Sequence, residues 1–229
     1  MNIVVLTGAG ISAESGLATF RDLGGIWSQV NLEEVATPEA FAADPERVQS
    51  FYNARRAQLH EVEPNAAHHA LVRLEREWRK GSFLLVTQNV DDLHDRAGSQ
   101  ALLHMHGELR RVRCLACGTD DRWEGPVTSE SACPSCRTQG RLRPHVVWFG
   151  ETPLHMEQIE AALEGCDLFI AIGTSAQVWP AAGFVRMLPR RAWGIEINPE
   201  RSAMASSFAE GRRGPATREL PLLVEELLA

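Results

Sequence analysis

Short, β-branched apolar runs alternate with amphipathic stretches along most of this chain. The runs are Asn2 to Leu6, Phe83 to Val86, Leu102 to Met105, Leu168 to Ile172 and Trp193 to Ile197. Apolar segments of this length suit strands covered on both faces, and the helical segments between them predict a doubly wound α/β domain built on a parallel sheet. Each run gives way to small or polar residues: Thr7-Gly8-Ala9-Gly10-Ile11-Ser12, Gln88-Asn89-Val90-Asp91, His106-Gly107, Gly173-Thr174-Ser175 and Asn198. Ligands of open parallel sheets bind beyond the carboxyl ends of the strands. Several such ends meeting at one crevice predict an extended ligand with several functional groups.

The pattern changes after the His106 region. Four cysteines have the spacing Cys114-x2-Cys117-x15-Cys133-x2-Cys136, which matches a closed, tetrahedral four-thiolate zinc site. Two disulfides are the alternative. Because Met1 leads straight into an apolar strand with no basic or cleavable leader, the expected location is the reducing cytoplasm, which favours the metal. A redox pair would open a helix, whereas these two knuckles face each other across a loop holding Gly118, Gly125 and Pro126. Cys166 sits beside an apolar run and reads as a core residue.

A second departure lies near residue 50. Asp44-Pro45 predicts an N-cap with proline next, at the first helical position, opening a helix whose stripe is Val48, Phe51, Tyr52, Arg55 and Leu59. Arginine is unusual in such a stripe. It either lays its stem on the core and reaches for solvent, or joins Tyr52, three residues earlier, in presenting a phenol and a guanidinium to a carboxylate.

At 229 residues and 44% hydrophobic, the chain can bury one core of moderate size and carry a small insertion. Lys plus Arg number 23 against 30 Asp plus Glu, a net charge of −7, which argues against nucleic acid as partner. Basic, lysine-containing protein segments suit this surface better. No apolar stretch is long enough to span a bilayer.

The first loop, read by itself, leaves two meanings open. Gly8-Ala9-Gly10 after a strand permits a tight turn or a close backbone approach to a pyrophosphate. The dehydrogenase fingerprint would place its third glycine where this chain has Ala13, so the spacing is not that motif. Arg21, in Phe20-Arg21-Asp22, is either a phosphate ligand or a surface charge. Among eight histidines, His104 and His106 share one face by strand alternation, so periodicity does not choose between them. His106 is favoured by its place beside Gly107, at the end of the run.

Taken together, the Gly8 to Gly16 loop, Thr19-Phe20-Arg21, Thr87-Gln88-Asn89-Val90-Asp91, His106-Gly107-Glu108, the four cysteines, Val147-Trp148-Phe149-Gly150-Glu151, Gly173-Thr174-Ser175 and Asn198 resemble the sirtuins, NAD-dependent protein lysine deacylases. The resemblance runs from residue 3 to about residue 220. It implies one catalytic domain over 1–229. A larger Rossmann-like part takes about 1–27, 65–108 and 146–229; a smaller module is helical over 28–64 and zinc-binding over 109–145.

It also implies roles. His106 is the expected general base, and Asn89 orients ribose and water. Gly8, Ala9, Gly10, Phe20, Arg21 and Gly173 belong to the cofactor site; Ile11 and Asp91 meet the nicotinamide amide; Gln88 holds a ribose hydroxyl; Thr174, Ser175, Asn198 and Ala216 hold the adenosine half. The Tyr52/Arg55 pair with the small Ala36 matches class III sirtuins, in which the pair recognises the distal carboxylate of succinyl- or malonyl-lysine, so removal of succinyl, malonyl and acetyl groups is expected. Val147, Phe149, Gly150 and Glu151 resemble the strand that pairs with an extended acyl-lysine peptide. One structural zinc ion and a monomer complete the expectation. Mono-ADP-ribosyl transfer, a noncatalytic NAD-sensing adaptor and a dehydrogenase are the competing readings.

Overall fold

A computed structural model describes residues 1–17 and 32–229. The strands are β1 (Ile3–Thr7), β2 (Phe83–Thr87), β3 (Leu102–His104), β4 (Gly107–Cys114), β5 (Asp120–Arg122), β6 (Leu142–Val146), β7 (Leu168–Ile172), β8 (Trp193–Ile197) and β9 (Glu210–Arg212). Six of them form one parallel sheet in the order β3-β2-β1-β7-β8-β9. Numbered along the chain, that order is 3-2-1-4-5-6, the arrangement of doubly wound dinucleotide-binding sheets. The topological switch falls between β1 and β7, the position at which such sheets bind their ligands.

Alternation along the central strands splits their side chains between two cores. Ile3, Val5, Ile170, Ile172 and Ile195 pack with Leu71, Leu74, Leu220 and Leu223 on one face. Val4, Leu6, Val86, Phe169 and Ala171 pack with Ile159, Leu163 and Phe184 on the other. Each such side chain contributes about 1.5–3 kcal/mol by leaving water. On the first face, the helix Ala66–Glu77 lies beside the helix Ala216–Leu228, and its start is held by the Asn65 side chain, which accepts from Ala67 N at 3.0 Å.

The remaining strands make an antiparallel sheet in the order β5-β4-β6. Against it lies the helix Pro45–Gln58, capped as the sequence predicts: Asp44 Oδ1 accepts from Arg47 N at 3.0 Å, with Pro45 leading the first turn. The predicted stripe is buried at Val48, Tyr52, Arg55 and Leu59, but Gln49 and Arg56 are buried as well. One expected element is shorter than predicted. The Leu102 run stops being a strand at His104, because the chain turns at Met105 and His106 to begin β4. Strand alternation therefore does not relate His104 to His106.

Candidate active site

The carboxyl ends of the central strands finish level with one another. Thr7 is in register with Thr87 and Ile172, Thr87 with His104, and Ile172 with Ile197. The ladder runs one step further, through Gly8 N to Ile172 O (3.0 Å), Gln88 N to Thr7 O (2.9 Å) and Gly173 N to Ile197 O (3.0 Å). All the polar loops consequently leave the sheet at the same height.

At the switch point, loop meets loop through glycine. Gly10 N donates to Gly173 O at 2.9 Å. A Cβ on Gly10 would stand 2.7 Å from Gly173 Cα, and one on Gly8 2.8 Å from Gly173 O. Gly8 itself has extended backbone, so what the first loop needs from it is space. Gly173 needs both space and its left-handed φ of +61°. The structural requirement for these glycines is thus contact between two loops.

Beside this crossing lies a buried polar cluster. Asn89 Nδ2 donates to Gly8 O (3.2 Å) and Ser12 Oγ (3.1 Å), Ser12 Oγ donates to Asp91 Oδ2 (3.1 Å), and Leu93 N donates to Asp91 Oδ1 (3.1 Å). Burial pushes the Asp91 carboxyl up to about 6, with the Leu93 and Ser12 hydrogen bonds opposing. The floor of the cluster is a threonine pair: Thr7 Oγ1 donates to Thr87 Oγ1 at 2.9 Å, and Asn89 N donates to the same Thr87 oxygen at 3.1 Å. Nothing in the sequence pattern marks Thr7 and Thr87 as partners, because they lie on different strands.

His106 lies in the turn between β3 and β4, its Nδ1 3.1 Å from the carbonyl oxygen of Gln88. A carbonyl only accepts, so Nδ1 carries the hydrogen and Nε2 is the basic nitrogen. Burial lowers the ring's pKa, while the Gln88 contact opposes. His104 differs. Its Nε2 is 3.1 Å from Asp95 Oδ2; burial pulls its pKa down, but the hydrogen bond and charge of Asp95, with the Glu108 charge and a bond to the Asn89 backbone, together raise it.

Toward the far end of the sheet, Gln88 Nε2 donates to Thr174 Oγ1 (3.1 Å) and Asn198 Nδ2 donates to Thr174 O (2.6 Å). Ser175 O accepts from Ala203 N (3.2 Å), and Ala216 is the buried first residue of the last helix. The loops predicted for one extended ligand are therefore joined. Phe20 and Arg21 lie outside the described residues.

On the other flank, Tyr52 and Ala36 belong to one apolar cluster with Val146 and Trp148, against which Val90 and Leu17 pack. Tyr52 Oη accepts from Trp148 Nε1 at 2.8 Å, which leaves its own O–H to donate, and burial raises its pKa so that the proton stays. Arg55 lies one turn on, its Nη1 donating to Gln58 Oε1 at 2.8 Å and its guanidinium 5.0 Å from the Phe51 ring centre. The segment after β6 is tied at two points, Val147 N to His106 O (2.9 Å) and Phe149 N to Ala36 O (3.0 Å), with Phe149 and Gly150 exposed.

Glu151 is engaged internally. Arg143 donates to both its oxygens (2.6 and 3.0 Å), and so does Trp148 N to Oε2 (2.8 Å), while the Arg143 guanidinium lies 3.4 Å from the Trp148 ring centre. Arg143 carries no signal in the sequence; its role comes from chain folding back on itself.

The four cysteines converge without any disulfide. Their sulfurs lie within 4.8 Å of one another, with Cys114 to Cys136 at 3.7 Å and Cys117 to Cys133 at 3.8 Å. A tetrahedron with Zn–S bonds of about 2.3 Å has S···S edges of about 3.8 Å, so the donor set fits one zinc ion. The two knuckles are built alike: Gly118 N bonds to Cys114 O and Arg137 N to Cys133 O, each at 2.9 Å.

Comparison with known proteins agrees with this geometry. Residues 8–180 match the model of the Sir2 family. The NAD-dependent protein deacylase of Bdellovibrio bacteriovorus is 55% identical over 99% of this chain and 97% of its own length; that of Escherichia coli K12 is 54% identical over 99% and 82%. Among solved structures, a mutant Sir2 homologue bound to ADP-ribose superposes with a TM-score of 0.90 at 40% identity, covering 98% of this chain and 91% of the other. A Sir2 homologue in complex with NAD gives 0.89 at 40%, covering 99% and 90%. On the family match along three quarters of its length, and on relatives 54–55% identical over nearly the whole chain, this chain belongs to the Sir2 family.

Proposed function

We propose that this protein is an NAD-dependent protein lysine deacylase that removes succinyl and malonyl groups as well as acetyl. The observation that carries the reaction is His106, a half-buried imidazole with its basic Nε2 set by the Gln88 carbonyl, standing beside the Asn89 and Asp91 turn. NAD is the co-substrate and supplies the ribose carbon that the acyl oxygen attacks as nicotinamide leaves. His106 takes the proton of a ribose hydroxyl so that the oxygen can attack the acyl carbon, and Asn89 orients the ribose and the water that finishes hydrolysis. Free lysine and O-acyl-ADP-ribose result.

The other residues bind. The backbone of Gly8, Ala9, Gly10 and Gly173 faces the phosphates, with Phe20 and Arg21 assigned to the same site; Ile11 and Asp91 meet the nicotinamide amide; Gln88 meets a ribose hydroxyl; and Thr174, Ser175, Asn198 and Ala216 take the adenosine half. An extended peptide runs along Val147, Phe149 and Gly150, using main-chain groups that His106 and Ala36 leave open, while Glu151 and Arg143 hold that segment in place. A 26% identical Sir2 enzyme has been solved with a deacetylated p53 peptide and 3′-O-acetyl-ADP-ribose. The zinc ion is structural, and the chain acts as a cytoplasmic monomer on acyl-lysine proteins.

Tyr52 and Arg55 give the acidic preference: a phenol with a proton to donate and a guanidinium one helical turn away suit a carboxylate. The test is NAD-dependent turnover of one peptide carrying succinyl- or acetyl-lysine, read out by mass spectrometry. Arg55→Met should lower kcat/KM for succinyl about 10- to 100-fold, the worth of a charged hydrogen bond, and spare acetyl. Equal loss of both would assign Arg55 to the fold. ADP-ribose added to the target would favour transferase chemistry, and no turnover dependent on His106 would sink the deacylase reading.

A further inference from the structure

The helix Pro45–Gln58 carries two stripes, and only one faces the acyl pocket. The second, Gln49, Asn53 and Arg56, repeats the spacing of Val48, Tyr52 and Arg55 one residue later, so it points about 100° away around the helix axis. Its side chains are polar, and all dock on the main chain of the cysteine-bearing module. Gln49 Nε2 donates to Leu142 O at 2.7 Å. Asn53 closes a two-way pair with Val127, donating to its O and accepting from its N at 2.8 Å each. Arg56, 2% exposed, donates from Nε to Leu109 O at 2.7 Å, and from Nη1 to Asn53 Oδ1 at 2.8 Å and Gly125 O at 3.3 Å.

These acceptors share a location. Leu109 lies in β4, which ends at Cys114; Leu142 opens β6, just beyond Cys136; Gly125 and Val127 lie between the two knuckles. We propose that Gln49, Asn53 and Arg56 are positioning residues for acyl selectivity, fixing the rotation of the helix on the zinc module so that Tyr52 and Arg55 meet a carboxylate in hydrogen-bonding geometry. This rests on the acidic-acyl reading of that pair. The buried polar stripe has a physical reason to matter for selectivity: an apolar interface would tolerate a small roll of the helix, whereas directional bonds to fixed backbone groups do not. An acetyl group offers no carboxylate and does not depend on the roll. The interface meets the proposed NAD loops at one backbone bond, Leu109 N to Val90 O (2.8 Å), and the hydrogen bonds of Gln49, Asn53 and Arg56 reach none of the residues assigned to NAD.

The experiment uses the full-length, zinc-loaded protein, with Asn53→Leu, Arg56→Met, Arg56→Lys and the milder Gln49→Met compared on succinyl- and acetyl-lysine versions of one peptide. The expected result is a fall of about tenfold in kcat/KM for succinyl, carried mostly by KM, with acetyl turnover within about twofold and zinc content unchanged. Arg56→Lys, which keeps one donor, should recover part of the selectivity. Parallel loss of both activities, or an unchanged ratio in every variant that folds, Gln49→Met included, overturns the proposal. Arg55→Met is run alongside. If it also leaves the ratio unchanged, the acidic-acyl reading has failed; if it collapses the ratio while the docking variants do not, only the positioning role has failed.

Discussion

The imidazole of His106 stands 3.1 Å from the carbonyl oxygen of Gln88, and this one contact decides which nitrogen can act as base. The same residue that precedes Asn89 thereby holds the ring proposed as base. Coupling the two through backbone means that the proposed base and the proposed ribose-orienting amide move together.

One consequence is the acid limb of the pH profile. Burial lowers the His106 pKa below its ordinary value of 6.5, so the ring is already unprotonated at neutral pH, and activity should fall only as acid protonates it. The limb in kcat/KM is expected below pH 6.5. Asp91, pushed up to about 6 by burial, titrates in the same range, and Asp91→Asn should leave a simpler limb belonging to His106. A midpoint above pH 7 would contradict this assignment. His106→Ala should lower turnover by roughly 10²–10⁴-fold, the usual worth of a positioned base.

The glycine crossing gives a sharper stability contrast. Gly173 has φ +61°, and a Cβ there would stand 2.4 Å from Ile11 N; Gly118 has φ +76° with nothing within 4 Å. Both substitutions to alanine incur left-handed strain of about 1–2 kcal/mol, but only Gly173→Ala adds overpacking of about 1–3 kcal/mol. Thermal unfolding should therefore drop by about 5–15 °C for Gly173→Ala and by a few degrees for Gly118→Ala. Titration with NAD should show weakened binding for the first alone.

Glu151 is the carboxylate half of a nearly buried ion pair. Burial raises its pKa, yet the Arg143 hydrogen bond, the Trp148 N–H and the Arg143 charge together hold it below its ordinary 4.5. Because the folded state depresses this pKa, the stabilisation is present above about pH 4.5 and disappears as pH falls through the folded value. Glu151→Ala should cost about 2–4 kcal/mol at pH 7, less than a fully buried pair because the side chain is 25% exposed. In unfolding curves, the gap between parent and variant should begin to narrow below about pH 4.5 and go on closing as pH falls through the folded value; a constant gap would mean the pair contributes through packing alone.

For the cysteines, elemental analysis should find about one zinc per chain, and Cys133→Ser should lose it. The ion replaces apolar packing that so small a module lacks, so its removal by a chelator should lower the unfolding temperature and raise proteolytic cutting within 109–145. Full zinc content in Cys133→Ser would refute the four-thiolate assignment.

Much of this molecule is written locally. The apolar runs became strands, the Asp44-Pro45 cap opened its helix, and each C-x2-C pair formed its knuckle, because each of these depends on neighbours close along the chain. The separation of His104 from His106 was not legible. It comes from where a strand stops, and that is set by the turn into a different sheet.

By itself the sequence determined which side chains could do chemistry and on which loops they sit, since burial periodicity and ligand spacing are short-range properties. Tertiary structure alone decided what those side chains face. Gly8 and Gly10 are required by Gly173, Glu151 is claimed by Arg143, and Gln49, Asn53 and Arg56 answer to backbone groups 53 to 93 residues away. Backbone carbonyls and amides have no residue identity, so a contact to them leaves no trace in composition or pattern until the chain has folded.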